Sequence, residues 1–195
     1  MQLPSPMLAR SGPLPEYGRW SFEVKWDGFR ALVSTRAGLH VGGRHPWNPA
    51  ASLPELESLP SGLILDGELV VSDQEGLPSY SAVRERLLLG DSSLALTYVV
   101  FDVLQLDDER LLHLPYRQRR DLLESLDLGG PACRLSKRFD DGQALYDAIC
   151  RLDMEGVVAK PSGSAYRPGY RGWITVENPA YRRLGAETTV GSTFS

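Results

Sequence analysis

Two long apolar segments rich in β-branched residues place the strongest constraint on how this chain can fold. Leu63–Val71 and Ala95–Leu104 both have the composition of buried strands. Apolar and polar side chains alternate over residues 20–25 and 29–34, which predicts two antiparallel strands. The Asp27-Gly28 pair between them is typical of a hairpin turn. We therefore expect antiparallel β-structure to dominate the fold.

Shorter patterns predict the remaining elements of a single domain. Further strands are expected at Leu39–Gly42, Val157–Ala159 and Trp173–Val176, and helices at about residues 79–89, 115–126 and 142–152. Residues 1–19 are rich in proline and glycine, and we expect them to form an extended strap. Because strands and helices do not alternate regularly, the pattern favours an α+β fold built on antiparallel sheets.

Charge and composition exclude several classes of function. The formal net charge is −4, whereas a free-standing nucleic-acid binder usually carries a basic excess. No apolar run has the length of a membrane span, and the N-terminus lacks a signal-peptide core, so we expect no membrane partner. Cys133 and Cys150 lack metal-type spacing, which indicates a reduced, cytoplasmic protein.

Lysine is scarce in this chain, which contains only Lys25, Lys137 and Lys160 among 21 basic residues. A lysine amine can be tuned to lose its proton and act as a nucleophile, whereas the guanidinium of arginine stays protonated. The lysines that remain are therefore candidate functional residues. The alternative explanation is a GC-rich genome, which also favours arginine over lysine.

Six short motifs occur in a fixed order along the chain, and each is weak when taken alone. They are Lys25–Gly28, Gly43-Arg44, Asp66–Glu68, Val99–Asp102, Glu155–Lys160 and Trp173–Val176. As an ordered set over about residues 4–180, they resemble the covalent nucleotidyltransferases. The closest resemblance is to the ATP-dependent DNA ligases of the bacterial end-joining branch, which Pro6–Ala9 and Tyr166–Gly169 also support.

The resemblance implies a fold, cofactors and partners. The fold would be an α+β covalent nucleotidyltransferase (ATP-grasp-like) domain over residues 1–185, with antiparallel sheets flanked by helices. The polar tail at residues 186–195 would lie where family members begin an OB-fold, which this chain does not reach. The ligands would be ATP and Mg²⁺ (or Mn²⁺). The partners would be nicked or broken DNA, contacted through a missing or separate OB-fold, and end-joining repair proteins near a bacterial nucleoid.

The resemblance also assigns catalytic roles. Lys25 would attack the α-phosphorus of ATP, release pyrophosphate and keep AMP on its amine. Glu155 and Asp27 would be the metal ligands, because hard divalent cations prefer carboxylate oxygens. Lys160 would contact the nucleotide or its phosphates and supply positive charge near the nucleophile.

Further residues would bind the nucleotide itself. The family position of Glu23 helps to read adenine, and that of Glu68 binds the ribose. Phe101 would stack on the base, since a flat aromatic ring suits a purine. Arg30 and Arg44 would contact ribose or phosphate oxygens, which fit the guanidinium fork.

The last motif departs from the family pattern. Family members carry a strand of the type Trp-x-Lys-x-Lys, whose lysines reach the α-phosphate, but Thr175 and Glu177 occupy those positions here. An acidic side chain near a triphosphate repels it, more strongly if poorly solvated. Arg167 and Arg171 are the candidates for replacing the lost charge.

Three functions therefore stay open from the sequence. The first is the adenylyltransferase domain of an ATP-dependent DNA ligase. The second is an RNA ligase or a guanylyl-transferring capping relative within the same superfamily. The third is a degenerate, non-catalytic nucleotide-binding or scaffold domain, which the acidic residue in the last motif would favour.

Overall fold

The computed structural model describes residues 3–43, 53–73, 76–130 and 132–182, in which ten strands and three α-helices form two sheets with flanking helices. The strands are β1 (Leu8–Ser11), β2 (Trp20–Val24), β3 (Phe29–Ser34), β4 (His40–Gly42), β5 (Leu63–Val71), β6 (Leu96–Leu106), β7 (Glu109–Arg110), β8 (Cys133–Leu135), β9 (Gly156–Pro161) and β10 (Arg171–Glu177). The helices are α1 (Tyr80–Arg84), α2 (Tyr116–Ser125) and α3 (Gly142–Arg151), accompanied by a 3-10 helix at Pro54–Ser58 and a π-helical turn at Glu85–Leu89.

The smaller sheet has four strands in the order β1-β10-β9-β2. Its inner strand β9 runs antiparallel to both neighbours, and β1 lies parallel to β10. Helix α3 packs on one face of this sheet through Leu145 and Ile149, which contact Phe22 and Ile174 of the sheet. The opposite face is free to form one wall of a site.

The larger sheet has the order β4-β3-β5-β6-β7, and β8 pairs with β6 in parallel. Alternate residues of β3, β5 and β6 point into the main core, as the period of two along a strand requires. That core contains Val33, Leu65 and Val100, and the helical segments 54–58, 80–84 and 116–125 cover it. The intervening residues of the same strands point the other way, toward the smaller sheet.

A third apolar cluster joins the two sheets. Leu32 and Phe101 of the larger sheet pack there with Trp173 of the smaller one, and Met7 and Tyr166 complete the cluster. The predicted α+β fold of mainly antiparallel sheets flanked by helices is confirmed, and among the strands of the described residues β1–β10 and β6–β8 are the parallel pairs.

The predicted hairpin between residues 20–25 and 29–34 is wrong. Both strands exist, but β2 pairs with β9 in the smaller sheet, and β3 pairs with β4 and β5 in the larger sheet. The Asp27-Gly28 pair therefore lies in a connection between sheets. Glycine is required at position 28 because a Cβ there would overlap Leu69 O and lie 3.1 Å from Glu68 Cγ.

The other predicted elements are present, with differences at their ends. Residues 79–89 form α1 and then a π-helical turn, and the predicted strand at Val157–Ala159 extends over Gly156–Pro161. The strap at residues 1–19 contains strand β1, which the sequence did not predict. The proposed domain end at residue 185 and the tail at 186–195 lie outside the described residues. None of the described helices is both long and apolar enough to cross a membrane.

Candidate active site

A cavity of about 780 Å³ lies between the two sheets. The smaller sheet contributes residues of β1, β2, β9 and β10, and the larger sheet contributes residues of β3, β5 and β6. Its volume is within the range of small-molecule sites. The predicted site residues that line it are Glu23, Lys25, Arg30, Glu68, Phe101, Glu155 and Lys160. Arg44 lies outside the described residues.

Lys25 follows directly after β2 and is tied to the neighbouring strand. Its backbone N–H donates to Gly156 O at 2.9 Å, and its Nζ forms an ion pair with Glu155 Oε1. Both side chains are partly accessible from the cavity, with 21% and 12% exposure. A Cβ at position 156 would overlap Val176 O and lie 3.0 Å from Glu177 Cα, so glycine lets β9 and β10 approach closely beside Glu155. The two residues that were predicted as nucleophile and metal ligand are therefore in direct contact.

Asp27 lies in a smaller neighbouring cavity of about 150 Å³, which Lys25 and Glu155 also line. Its carboxylate is buried, and Oδ2 accepts a hydrogen bond from Tyr181 Oη at 2.6 Å. The described residues contain no group of three His, Cys, Asp or Glu side chains placed to hold a metal. Two carboxylates on one small cavity still suit Mg²⁺, which commonly takes one or two protein carboxylates together with water and substrate phosphates.

Glu23 and Lys160 form a buried ion pair on the cavity wall, with Nζ 2.7 Å from Oε1. Tyr116 Oη also donates to Oε1. Burial alone would raise the pKa of Glu23, but the positive charges of Lys160 and Arg120 and two hydrogen bonds outweigh it and lower the pKa. Burial also lowers the pKa of Lys160, against the opposing effect of Glu23 and Asp102.

The second oxygen of Glu23 distinguishes this pair from a purely structural one. Oε2 is buried and has no hydrogen-bond partner among the described residues. An ionised carboxylate can only accept hydrogen bonds, so this oxygen suits a ligand that donates an N–H or O–H. The exocyclic amine of adenine is such a donor, which makes the cavity compatible with ATP.

Arg30 is held by Asp66 rather than left open toward the cavity. Its Nε and Nη2 donate to Oδ1 and Oδ2 of Asp66, both at 2.6 Å, and this pairing raises the pKa of Arg30 further above its ordinary value against the effect of burial. Tyr166 Oη donates to Asp66 Oδ2 at 2.7 Å and accepts from Met7 N at 2.8 Å. Because Nε and Nη2 of Arg30 already donate to Asp66, a contact between Arg30 and a ribose or phosphate stays a prediction.

Glu68 and Phe101 face the cavity from the larger sheet. Burial raises the pKa of Glu68 to about 8, with a further contribution from Glu155, although Arg30 and Lys25 oppose the shift. The Phe101 ring has Lys160 Nζ 4.2 Å from its centroid and Arg30 Cζ 4.6 Å from it. Stacking of a base on Phe101 and binding of a ribose by Glu68 stay predictions.

Strand β10 presents the departures from the family pattern directly to the cavity, where Arg171, Trp173, Thr175 and Glu177 all line the wall. Glu177 pairs across the sheet with Gly156, and Lys25 donates its backbone N–H to Gly156 O, so Glu177 and Lys25 lie in the same row of the sheet. Arg171 stands at the other end of the strand, six residues away. It is therefore poorly placed to replace a lysine at position 177.

Three tyrosines outside the predicted set of site residues hold carboxylates in place around the cavities. Tyr116, Tyr166 and Tyr181 each donate a hydrogen bond to a site carboxylate, and they come from three separate segments. Asp66 belongs to the Asp66–Glu68 motif but is not among the predicted site residues, although its place beside Glu68 in that motif could have indicated a role near the site. Tyr166 belongs to the Tyr166–Gly169 motif, but its contact with Asp66 has no signal in the sequence, and Tyr116 and Tyr181 lie in no motif.

Comparison with known proteins supports a single family. A family model described as an ATP dependent DNA ligase domain matches residues 6–176. The multifunctional non-homologous end joining protein LigD of Mycolicibacterium smegmatis is 34% identical over 180 residues, which cover 87% of this chain and 23% of that protein. The SPbeta prophage-derived DNA ligase-like protein LigB of Bacillus subtilis is 32% identical over 187 residues, covering 92% of this chain and 69% of that protein.

Solved structures agree with this result. The ligase domain of M. tuberculosis LigD superposes with a TM-score of 0.78 at 32% identity, covering 89% of this chain and 59% of that one. A mycobacterial DNA ligase D complexed with ATP and MES gives a TM-score of 0.77, also at 32% identity. The chain thus spans only part of the length of these relatives.

Proposed function

The chain belongs to the ATP-dependent DNA ligase domain family as an adenylation domain, and we propose that Lys25 carries AMP from ATP to a DNA 5′-phosphate. The observation that carries this proposal is the contact between Lys25 and Glu155 on the wall of the cavity between the sheets. A lysine amine, an acceptor for its proton and room for a nucleotide are the minimum that such a transfer needs.

In the first step the neutral amine of Lys25 attacks the α-phosphorus of ATP. The N–P bond forms while the P–O bond to the leaving pyrophosphate breaks. Glu155 contacts the Lys25 amine in the resting site, so it is the acceptor within reach of the proton that the amine loses.

Metal binding falls to the two carboxylates of the small cavity. Asp27 and Glu155 would hold Mg²⁺ or Mn²⁺, which when bound offsets negative charge on the phosphates. Tyr181 orients the Asp27 carboxylate through its 2.6 Å hydrogen bond. A fixed orientation matters because Mg²⁺ tolerates little deviation from octahedral geometry.

Nucleotide selection is assigned to the wall of the larger cavity. Glu23 Oε2 would accept from the adenine amine, whereas guanine presents a carbonyl oxygen in that position and would be repelled. Phe101 would stack on the base and Glu68 would bind the ribose. This arrangement favours ATP over GTP, and thus a ligase over a guanylyl-transferring capping relative.

The later steps involve DNA. The LigD relative is named as an end-joining protein, and we extend that role to this chain. AMP would pass from Lys25 to a 5′-phosphate at nicked or broken DNA, and a 3′-hydroxyl would then displace AMP and seal the strand. End-joining repair proteins are the proposed partners, and an OB-fold, in cis or in trans, is the proposed means of gripping DNA.

Intact-protein mass spectrometry after incubation with ATP and Mg²⁺ tests this proposal. We expect a mass increase of one AMP, its absence in Lys25→Ala, and its retention in Lys137→Ala, which removes an exposed lysine. An unchanged adduct in Lys25→Ala would refute the choice of nucleophile, and a stronger adduct with GTP would refute the adenine assignment.

A non-catalytic binding domain is the second candidate, because Thr175 and Glu177 leave the row beside Lys25 without its expected positive charge. The same experiment separates the two functions. ATP binding without any covalent product, in wild-type protein, would favour the non-catalytic domain.

A further inference from the structure

A second, larger depression of about 1430 Å³ lies away from the nucleotide cavity, and we call it the α2 groove. One side is formed by residues 14–22, which include the first three residues of β2, and the other by α2 and by residues 135–143, which lead into α3. The α2 groove and the nucleotide cavity have no lining residue in common. The proposed ligase chemistry leaves this groove without a role.

Two consecutive arginines of α2, Arg119 and Arg120, are both buried, but they differ in how many of their N–H groups have an acceptor. Arg119 donates to both oxygens of Asp102 and to the carbonyls of Leu114 and Ser164. Arg120 is 1% exposed, yet only its Nη2 has partners, which are Ser136 O at 2.7 Å and Glu124 Oε1 at 3.3 Å. Its Nε and Nη1 are buried without an acceptor among the described residues.

Unsatisfied buried donors on a charged side chain are uncommon and call for a partner, such as water or an ion. Arg120 lines the α2 groove, so its missing acceptor can arrive from there. The carboxylate that contacts Arg120 belongs to Glu124, whose side chain is 42% exposed. Glu124 also pairs with Arg138, whose Nη2 lies 2.7 Å from Glu124 Oε2. The buried Glu23 carboxylate also feels the charge of Arg120, so what Arg120 lacks is acceptors for Nε and Nη1 rather than any nearby negative charge.

The rim of the groove adds further positive charge. Arg19, Arg117 and Lys137 line it, and none of them forms an ion pair with another described residue. Four carboxylates also line the groove. Glu124 pairs with Arg138, whereas Asp141 caps α3 by accepting from Ala144 N and keeps its negative charge. Glu16, Asp140 and Asp141 therefore oppose Arg19, Arg117, Arg120 and Lys137, which leaves the groove with an excess of one positive charge.

We propose that the α2 groove is an anion site that binds a phosphate group, with Arg120 as its buried anchor and Arg117 and Lys137 as rim contacts. Guanidinium and ammonium groups form short, charge-assisted hydrogen bonds to phosphate oxygens. The phosphate can be free or can belong to a nucleic-acid backbone. Both sources offer the same oxygen acceptors to Arg120.

Titration of the ¹⁵N-labelled full chain with orthophosphate, followed by NMR at constant ionic strength, tests the site. We expect saturable shifts of the Arg120 Nε–H and of backbone signals at Ser136 and Gly142, which line the groove. Chloride in place of phosphate should produce no saturable change. Shifts that are linear with concentration, or spread evenly over the surface, would overturn the proposal.

Substitutions at the rim of the groove test where phosphate binds without changing the buried Arg120. Arg117→Gln combined with Lys137→Gln should weaken phosphate binding by about tenfold, the loss expected for charged hydrogen bonds. Arg110→Gln, which removes an exposed arginine on β7 outside the groove, should leave it unchanged. Lys25→Ala should also leave it unchanged, which separates this site from phosphate binding in the nucleotide cavity. Equal affinities in the double variant and wild type would contradict the site.

A third arm identifies the source of the phosphate. A site for nucleic-acid backbone should bind a single-stranded oligonucleotide more tightly than orthophosphate, with the same sensitivity to the double variant. A site for free phosphate should bind orthophosphate alone. If neither probe perturbs Arg120 Nε–H, the proposal is wrong.

Discussion

Glu23 and Lys160 form a buried ion pair, with both side chains 2% exposed, on strands that neighbour each other in the smaller sheet. The pair joins β2 to β9, the strand that follows directly on Glu155. Because a buried charge is costly without its partner, this contact should matter for stability as well as for binding.

Lys160→Met should lower the free energy of unfolding by about 3 kcal/mol, since it leaves the Glu23 carboxylate without its nearest counter-charge. Urea unfolding followed by circular dichroism measures the loss. Lys137→Met is the matched control, and its effect should stay within about 0.5 kcal/mol because that lysine is exposed. Equal losses in the two variants would show that the buried pair contributes nothing.

Glu68 should make stability fall as the pH rises. Its folded pKa of about 8 lies above the ordinary value of 4.5, so the folded state binds the proton more tightly than the unfolded state. The stabilising contribution is complete below pH 4.5 and is lost as the pH rises to 8. Unfolding measured from pH 5 to pH 8 should show this loss in wild type and a flatter profile in Glu68→Gln. Parallel profiles would contradict the assignment.

Tyr166→Phe should destabilise the protein by about 1–3 kcal/mol. The phenolic oxygen donates to Asp66 Oδ2 and accepts from Met7 N, so the variant removes one donor and leaves one buried N–H without an acceptor. Thermal and urea unfolding provide the measurement. Tyr170→Phe, at an exposed tyrosine four residues later, should be close to neutral. A neutral Tyr166→Phe would mean that water replaces the hydroxyl.

Glu177→Lys should speed formation of the AMP adduct by about tenfold, equivalent to about 1.4 kcal/mol of barrier. The new ammonium would attract the triphosphate where the present carboxylate repels it, in the row beside Lys25. A time course of adduct mass checks the rate. Glu109→Lys, which makes the same charge change on β7 outside the cavity, should have little effect. A slower Glu177→Lys variant would indicate that the carboxylate assists the reaction.

Local patterns predicted most elements but not how they pair. Alternation over residues 20–25 and 29–34 identified two strands, yet it carries no information about the neighbour of each strand. β2 is held by β9, which follows more than 130 residues later, and β3 is held by β4 and β5. The four-residue strand β1 was missed because its stability comes from parallel pairing with β10 at the far end of the chain.

The candidate site shows the same division. The motifs identified the residues whose chemistry is distinctive, namely Lys25, Glu155 and Glu68, and the fold brings these to one cavity. The sequence could not indicate that Arg30 would be held by Asp66, because this requires β3 and β5 to lie side by side with Arg30 opposite Glu68. Contacts between distant segments depend on the complete fold.

The position of Lys25 depends on how the two sheets pack against each other, because Lys25 lies in the connection between β2 and β3. Lys25 begins the segment that leaves one sheet and enters the other, while Glu155 and Glu68 belong to opposite sides of the cavity. Substitutions at Met7 and Leu32, which pack between the sheets without lining the cavity, would therefore alter the relative positions of Lys25, Glu155 and Glu68. This apolar contact therefore sets the geometry of the cavity walls as well as holding the fold together.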